Sequence, residues 1–416
     1  MKRERKKEMA RKHNQLEGKL LIAQSGGPTI VINQSLVGAI QEAKKYDVIT
    51  AVYGSRHGIQ GILQEDFVDL SRESQSVLEA VALTPSSMLG SVRMKPTRDE
   101  CAKLFEVIQK YNVRYFFYIG GNDSAETAHI IHQEARRNRY DLRAFHICKT
   151  IDNDLRENDH TPGFGSGARF VACAFLGDNL DNRALPGVKI NVVMGRHAGF
   201  LTAASSLARV YPDDGPHLIY LPERSFSMPN FIRDVKGVYR ELGRCLIAVS
   251  EGISDRAGKP IVSRFMTEVD SHGNTQLSGT GALGDLLASE IRRRTNISRV
   301  RADTFGYLQR SFAGIYSEVD AKEARNVGRM AVKFAVNEYP NGSVAIRRKP
   351  GKRYQVYYVR VPLEKVAKET RHMPDSYINA AGNDVTQAFI DYVTPIVGKL
   401  PKVGRFKGYP VRKLSS

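Results

Sequence analysis

The sequence has no long apolar run and few cysteines. A membrane-spanning helix needs about 20 consecutive, mostly apolar residues, and no such run occurs among the 416 residues. The four cysteines, Cys101, Cys148, Cys173 and Cys245, lie far apart and form no CxxC pair. This spacing predicts buried, reduced thiols rather than disulfides, a metal cluster or a redox pair. We therefore expect a soluble, cytoplasmic protein with no membrane partner.

Acidic residues are outnumbered by basic ones. The chain has 44 Asp and Glu residues against 62 Lys and Arg residues, which gives a formal net charge of +18. Such an excess suits a polyanionic partner, and phosphorylated metabolites, nucleic acid and an anionic membrane all qualify at this point. Part of the charge lies in residues 2–19, where basic residues dominate and no apolar core follows as it would in a signal peptide. We expect a solvated basic extension there, with nucleic-acid or membrane contact as the alternatives.

Short apolar runs alternate with longer segments of helical periodicity from Lys19 onward. This alternation predicts parallel sheets covered by helices, an α/β fold, and the chain length favours two lobes. The predicted strands cover residues 20–23, 48–53, 115–119, 144–147, 189–193, 218–221, 245–249 and 356–361. The predicted helices cover residues 33–45, 125–137, 169–182 and 228–242.

Three glycine-containing turns follow predicted strands. Glycine lets backbone N–H groups approach an anion closely, and a helix that begins just beyond adds its positive end. One such turn is ordinarily only a tight turn, but three in one α/β chain indicate a site for phosphate groups. The turn residues of interest are Gly26, Gly27, Gly121, Asn122, Asp123, Ser124, Met194, Gly195 and Arg196.

A fourth segment places reactive groups directly after a strand. It contains Lys149, Thr150, Asp152 and Asp154, which are an ammonium, a hydroxyl and two carboxylates within six residues. Asp152 could accept a proton from an alcohol, and Asp154 could help to hold a phosphate-bound metal ion. Taken alone, the same segment could be a capped, solvated loop.

These sequence motifs and their order resemble those of the phosphofructokinase family across nearly the whole chain. Further matching strings lie at residues 222–223, 251–252 and 306–310. The resemblance implies two Rossmann-like lobes with mostly parallel sheets covered by helices and an active site in the cleft between them. It divides the chain into a basic extension (1–18), a phosphoryl-donor lobe (19–163), a sugar-phosphate lobe (164–308) and a C-terminal segment that packs on both (309–416).

The resemblance also implies roles for individual residues. Asp152 matches the base that takes the proton from the 1-hydroxyl of fructose 6-phosphate, and Thr150 should contact the transferred group. Tyr307 and Arg310 match the pair that binds the 6-phosphate, although many relatives have histidine in place of Tyr307, and tyrosine brings no positive charge. The other implied sugar-phosphate residues are Asp154, Met194, Gly195, Arg196 and Glu251. The implied donor residues are Gly26, Gly27, Arg93, Gly121, Asn122, Asp123 and Ser124.

A metal ion and a second subunit follow from the same resemblance. Mg²⁺ is expected near Asn122 and Asp152, although many relatives have aspartate where Asn122 stands. Arg301 matches an arginine that reaches into a neighbouring subunit's site, so the resemblance implies a homodimer or homotetramer. Lys189 is a second candidate for such a contribution.

Two positions separate the pyrophosphate users of the family from the nucleotide users. ATP-using members have glycine at both, whereas this chain has Asp123 and Lys149. Glycine at these positions leaves room for the α-phosphate of ATP. A carboxylate about 4 Å from that α-phosphate would repel it by about 4 kcal/mol at an effective dielectric constant near 20. We therefore expect pyrophosphate and fructose 6-phosphate as substrates, with fructose 1,6-bisphosphate and phosphate as products. The alternatives are an ATP-using phosphofructokinase and a basic nucleic-acid-binding protein, but no nucleic-acid partner is expected.

Overall fold

The computed structural model describes residues 16–94, 96–265, 280–337, 339–351, 353–367 and 370–414. Most of the predicted basic extension, residues 1–15, lies outside the described residues. The strands are β1 (Gly18–Gln24), β2 (Ile49–Ser55), β3 (Phe67–Asp69), β4 (Val113–Gly120), β5 (Arg143–Cys148), β6 (Val188–Val193), β7 (Leu218–Tyr220), β8 (Cys245–Ser250), β9 (Val300–Thr304), β10 (Asn341–Arg348) and β11 (Val356–Val361).

Helices connect most of these strands. They are α1 (Ile32–Ala43), α2 (Ile59–Leu63), α3 (Gln75–Leu83), α4 (Arg98–Lys110), α5 (Asn122–Arg137), α6 (Phe164–Ala184), α7 (Phe200–Ala203), α8 (Met228–Leu242), α9 (Ala282–Arg294), α10 (Leu308–Ser311), α11 (Glu318–Val336) and α12 (Gln387–Val397). The predicted strands and helices are confirmed within a few residues, apart from the earlier start of α6. The additions to the prediction are strands β3, β9 and β10 and helices α2, α3, α4, α7, α9, α10, α11 and α12. No helix of the described residues is long and apolar enough to cross a membrane.

The first sheet has seven strands in the order β11-β10-β5-β4-β1-β2-β3. Its five central strands pair in parallel, and only the two outermost strands, β3 and β11, run antiparallel to their neighbours. Strands β1, β4 and β5 are almost continuously apolar and buried, as expected for central parallel strands covered by helices on both faces. Because they are parallel and adjacent, their carboxyl ends meet at one edge of the sheet.

The second sheet is wholly parallel, with four strands in the order β7-β8-β6-β9. Strands β6 and β8 are neighbours, and Val193 pairs with Ser250 at their carboxyl ends. The residues that follow these two strands are therefore side by side. In such sheets the crevice beyond the carboxyl ends is the usual ligand-binding position.

The C-terminal part of the chain contacts both sheets. Strand β10 adds to the first sheet beside β5. Helix α12 instead buries Phe389, Val393 and Ile396 in the core that contains α6 and the loops beyond the second sheet. Segments far apart in sequence thus come together behind the loop that follows β5.

Candidate active site

A cleft of about 330 Å³ lies at the carboxyl ends of both sheets. The loops after β1, β4 and β5 form one side of it, and those after β6 and β8 form the other. The predicted residues that line it on the first side are Gly26, Gly27, Gly121, Asn122, Asp123, Ser124, Lys149, Thr150, Asp152 and Asp154. Those that join them are Arg93, Met194, Arg196, Glu251 and Arg310.

The turn after β1 has a backbone conformation that favours glycine. Gly26 has a φ of +72°, and its N–H donates a hydrogen bond to the Val92 carbonyl at 3.0 Å. Ser91 Oγ donates to the Gly26 carbonyl at 2.6 Å, so the turn is fixed to the segment that carries Arg93. Arg93 is exposed and lines the cleft. Backbone groups of this turn and the cation of Arg93 therefore line the same part of the cleft.

The turn after β4 leads directly into α5. Gly121 is the N-cap residue and offers no side chain to cap the helix, so the positive helix end can receive an anion from the cleft. A Cβ atom on Gly120 would lie only 2.0 Å from Ser124 Oγ, which explains the glycine there. Ser124 Oγ in turn hydrogen-bonds Ser25 Oγ at 2.5 Å and joins the two turns. Asp123, in the first turn of α5, is exposed to the cleft.

Lys149 is buried between the two glycine turns. Its Nζ atom donates a hydrogen bond to the Gly27 carbonyl at 2.7 Å. Burial, and then the positive charges of Arg310 and Arg93, lower the pKa of Lys149 to about 7. An anion bound among these three cations would favour the charged ammonium. The position therefore has the electrostatics of a phosphate-binding site.

Asp152 combines burial with an unpartnered oxygen. Burial, and then the carboxylates of Asp154 and Glu251, raise the pKa of Asp152 to about 7, and burial also raises the pKa of Asp154. The main-chain N–H of Asp152 donates to Thr150 Oγ1 at 3.1 Å. The Oδ1 atom of Asp152 is buried without a hydrogen-bond partner, and a hydroxyl group of a bound substrate could supply one. Such a carboxylate is suited to proton transfer near neutral pH.

The second side of the cleft is built around the loop after β6. Met194 and Arg196 line the cleft, whereas Gly195 lies between them in the chain and has a φ of +136°. Ser250 Oγ donates to the Gly195 carbonyl at 2.5 Å, which fixes this loop to the end of β8 just before Glu251. Glu251 therefore reaches the cleft from the neighbouring strand.

Arg310 joins the two sides of the cleft. A Cβ atom on Gly27 would lie 3.0 Å from the Arg310 guanidinium carbon, so this side chain lies against the turn after β1. The same guanidinium is 4.4 Å from the centre of the Tyr307 ring. Tyr307 itself is 47% exposed and is not among the cleft-lining residues. The sequence did not predict the contact between Arg310 and the first side.

Arg301 and Lys189 are outside this chain's cleft. They are register partners on β9 and β6, and β9 is an edge strand. Arg301 is exposed, and Lys189 forms ion pairs with Asp303 and Asp178. Neither residue lines the cleft described above.

Several lining residues were not among the predicted ones. His197 directly follows the Met194–Arg196 string, so its position beside that string could have indicated it. Burial lowers the pKa of His197, with Arg196 adding to the effect. Tyr118 also lines the cleft, but within an apolar strand it carries no sequence signal of a ligand site.

The phosphofructokinase family profile matches residues 19–335. Because this match covers most of the chain, the chain belongs to the phosphofructokinase family. It is 55% identical over 401 residues to the pyrophosphate–fructose 6-phosphate 1-phosphotransferase of Rhodospirillum rubrum, covering 96% of this chain and 99% of that protein. It is 37% identical over 403 residues to the enzyme of the same name from Xanthomonas campestris, covering 94% and 95%.

Solved structures agree with this relationship. The pyrophosphate-dependent phosphofructokinase of Marinobacter aquaeolei superimposes with a TM-score of 0.82 at 34% identity, covering 96% of this chain and 98% of that one. The corresponding structure from Nitrosospira multiformis gives a TM-score of 0.82 at 32% identity, covering 94% and 95%. The α/β fold predicted from the sequence is therefore confirmed.

Proposed function

We propose that this chain transfers a phosphoryl group reversibly between pyrophosphate and the 1-hydroxyl of fructose 6-phosphate. The forward products are fructose 1,6-bisphosphate and phosphate, so the reaction serves glycolysis in one direction and gluconeogenesis in the other. The observation that carries the proposal is the presence of Asp123 and Lys149 in the cleft, at the two positions where ATP-using relatives have glycine. The names of the relatives above support the same reaction.

Each lobe provides most of the contacts to one substrate, and the loop after β5 contributes to both. We assign residues 19–163 to the phosphoryl donor and residues 164–308 to the sugar phosphate, with residues 309–416 packing on both lobes. The donor phosphates contact the two glycine turns and Arg93. The residues assigned to the donor are Gly26, Gly27, Arg93, Gly121, Asn122, Asp123 and Ser124. The residues assigned to the sugar phosphate are Thr150, Asp152, Asp154, Met194, Gly195, Arg196, Glu251, Tyr307 and Arg310, with Arg301 from a second subunit.

In the proposed mechanism the 1-hydroxyl oxygen attacks the nearer phosphorus of pyrophosphate. A new P–O bond forms to the sugar, the bridging P–O bond breaks, and phosphate leaves. Asp152 takes the hydroxyl proton, while Thr150 contacts the transferred group and Lys149 stabilises the charge that builds on the leaving phosphate. In the reverse direction Asp152 returns the proton.

Magnesium fits the donor side of this cleft. The Oδ1 atoms of Asn122 and Asp152 are both buried without a hydrogen-bond partner, and oxygen atoms are the ligands that Mg²⁺ prefers. Among the described residues there is no group of three or more His, Cys, Asp or Glu side chains that could hold a metal ion. We therefore propose that pyrophosphate oxygens supply most of the ligands, with Asn122 and Asp152 beside them. Bound Mg²⁺ would neutralise charge on the phosphate oxygens.

We also propose that the active unit is a homodimer or homotetramer. The support is the position of Arg301, which is exposed on an edge strand and does not line the cleft of its own chain. Lys189, beside Arg301 in register, is a second candidate. A cytoplasmic location stays a prediction.

If Arg301 contributes to the active site of the neighbouring subunit, an Arg301→Ala chain and an Asp152→Asn chain should form an active mixed dimer. Each homodimer of Arg301→Ala or Asp152→Asn lacks one residue at both sites, whereas a mixed dimer has one intact site. Co-expression with two affinity tags isolates the mixed dimer, which is assayed at a fructose 6-phosphate concentration below the KM. We expect activity well above that of either homodimer. A mixed dimer no better than the mean of the two homodimers would place both residues in the site of one chain.

The reverse reaction gives a test of the proposed function. The phosphate bonds exchanged are closer in free energy than in the ATP case, so both directions should run readily with the purified chain and Mg²⁺. Phosphorus NMR should detect pyrophosphate formed from fructose 1,6-bisphosphate and phosphate. A protein that releases phosphate from fructose 1,6-bisphosphate without forming pyrophosphate would be a hydrolase and would overturn the proposal.

A further inference from the structure

The loop that carries Asp152 is hydrogen-bonded to residues that lie beyond the family match, which ends at residue 335. The Tyr392 hydroxyl, on α12, accepts a hydrogen bond from Asn153 Nδ2 at 2.8 Å and donates one to the Asp159 carbonyl at 2.7 Å. The main-chain N–H of Arg371 donates to the Asp154 carbonyl at 2.7 Å. The C-terminal segment therefore contacts the loop at Asn153, Asp154 and Asp159, all of which follow Asp152 in the chain.

Asn153 has the backbone conformation that most needs support. It is fully buried, and its φ of +59° lies in the left-handed region, which asparagine tolerates better than most residues. Its Oδ1 atom accepts a hydrogen bond from the Thr161 N–H at 3.1 Å, so the amide bridges Thr161 and Tyr392. Such a conformation persists where its surroundings fix it, and these two contacts do so.

The direction of the Asp152 carboxylate depends on this backbone. Asp152 immediately precedes Asn153, and its Oδ1 atom has no hydrogen-bond partner to orient it. The main-chain N–H of Asp152 donates a hydrogen bond to Thr150 Oγ1, which fixes the backbone but not the carboxylate. A change in the φ angle of Asn153 would therefore move the carboxylate relative to the substrate hydroxyl.

Asp159 and His160, at the far end of the loop, make several hydrogen bonds to other parts of the structure. His160 is buried between two carboxylates, with Nδ1 2.7 Å from Asp159 Oδ1 and Nε2 2.6 Å from Glu323 Oε2. Arg371 also donates from Nη1 to the Asp159 carbonyl at 2.6 Å. Because residues 159 and 160 are hydrogen-bonded to α11 and to the C-terminal segment, Tyr392 joins Asn153 to a part of the structure with several other hydrogen bonds.

We propose that Tyr392 is a positioning residue for Asp152. Its hydroxyl holds Asn153 in the left-handed conformation and so aims the neighbouring carboxylate at the 1-hydroxyl of the substrate. This inference rests on the proposed function, because it assigns Tyr392 to the base of that reaction. Tyr392 does not touch substrate and is absent from the residues that line the cleft.

The ring and the hydroxyl of Tyr392 can be tested separately. The ring packs against Phe164, Phe200, Tyr377 and Phe389, with centroid distances between 5.4 and 6.5 Å. Tyr392→Phe keeps this packing and removes only the hydroxyl. Tyr377→Phe is the matched control, because it removes a hydroxyl from the neighbouring ring, 5.4 Å away, whose ring contacts are with Phe389 and Tyr392.

The first measurement is steady-state kinetics of full-length Tyr392→Phe with pyrophosphate, Mg²⁺ and fructose 6-phosphate. We expect kcat to fall by about tenfold or more, since small displacements of a reacting group have effects up to about a hundredfold. KM values should stay within about twofold, because the binding residues are unchanged. Tyr377→Phe should retain the kcat of the unmodified chain. The folded fraction of each variant is measured by thermal melting, and kcat is expressed per folded molecule.

The second measurement tests whether the loss of kcat in Tyr392→Phe depends on the side chain of Asn153. Glycine adopts positive φ without strain and has no amide to receive support, so Tyr392→Phe should change kcat by less than about twofold in an Asn153→Gly background. An unchanged kcat in the single Tyr392→Phe variant, or an equal loss in both backgrounds, would overturn the positioning role. The unmodified chain is assayed in parallel. Its failure to use pyrophosphate would instead contradict the proposed function.

Discussion

Replacing Asp152 with asparagine should lower kcat by about 10² to 10⁴, the range for loss of a positioned general base. Asparagine has nearly the same shape but cannot accept the proton of the 1-hydroxyl. The pKa of Asp152, raised to about 7 by burial and then by Asp154 and Glu251, is consistent with a base that works near neutral pH. Fructose 6-phosphate affinity should change little, because the other residues assigned to the sugar phosphate remain.

The measurement is steady-state kinetics combined with calorimetric titration of fructose 6-phosphate into the Asp152→Asn protein. The titration is the control, since it separates a chemical loss from a collapsed site. Near-normal turnover would mean that another group takes the proton. A large loss of sugar-phosphate affinity would instead make Asp152 mainly a binding residue.

The donor pair should give the second large effect. Lys149→Gly alone should reduce pyrophosphate turnover by about 10² or more, the scale for losing one preorganised charge-stabilising donor. Asp123→Gly alone should let ATP compete for the cleft with little gain in ATP turnover, because Lys149 still fills the neighbouring space against Gly27. The double variant should show measurable ATP turnover, and such non-additivity is expected of residues that share one ligand.

Asp123 is exposed in the cleft, so its repulsion of a nucleotide acts chiefly when the bound nucleotide displaces water. Steady-state kinetics with both donors on the two single variants and the double variant tests this account. If the double variant keeps the full pyrophosphate preference, then other residues determine the donor.

Central elements were predictable because their residues are uniformly apolar. Strands β4 and β5 are buried almost throughout, and a parallel strand covered on both faces needs such a run. Strand β9 was not predicted, because Arg301 and Asp303 alternate with less polar residues on an exposed edge. Strand β10 was not predicted either, because its apolar run is only three residues long and ends at Arg347 and Arg348.

The start of α6 shows a different limit. The helix begins at Phe164, earlier than predicted, in a stretch rich in glycine. A Cβ atom on Gly165 would lie 2.8 Å from Ile396 Cγ2 and 3.0 Å from Asp320 Cβ, so glycine is needed for close packing. The Asp320 carboxylate also accepts a hydrogen bond from the Ser166 N–H at 2.9 Å. Contacts across such sequence distances cannot be read from local pattern.

Most of the cleft could be predicted from the sequence motifs that follow the strands, because adjacent parallel strands bring the turns at their carboxyl ends together. The contact of Arg310 with Gly27 and the support of Asn153 by Tyr392 could not. Both join segments whose order in the sequence says nothing of their distance in space. The residue types alone, an arginine in a motif and a tyrosine in a helix, do not reveal these partners.

The most direct test is a comparison of pyrophosphate and ATP as donors for the unmodified chain with Mg²⁺ and fructose 6-phosphate. Fructose 1,6-bisphosphate is measured through aldolase, so that the same readout serves both donors. Repulsion of about 4 kcal/mol between Asp123 and an α-phosphate corresponds to roughly a thousandfold, so kcat/KM for pyrophosphate should exceed that for ATP by about this factor. An equal or higher kcat/KM for ATP would contradict the assignment of pyrophosphate as the donor.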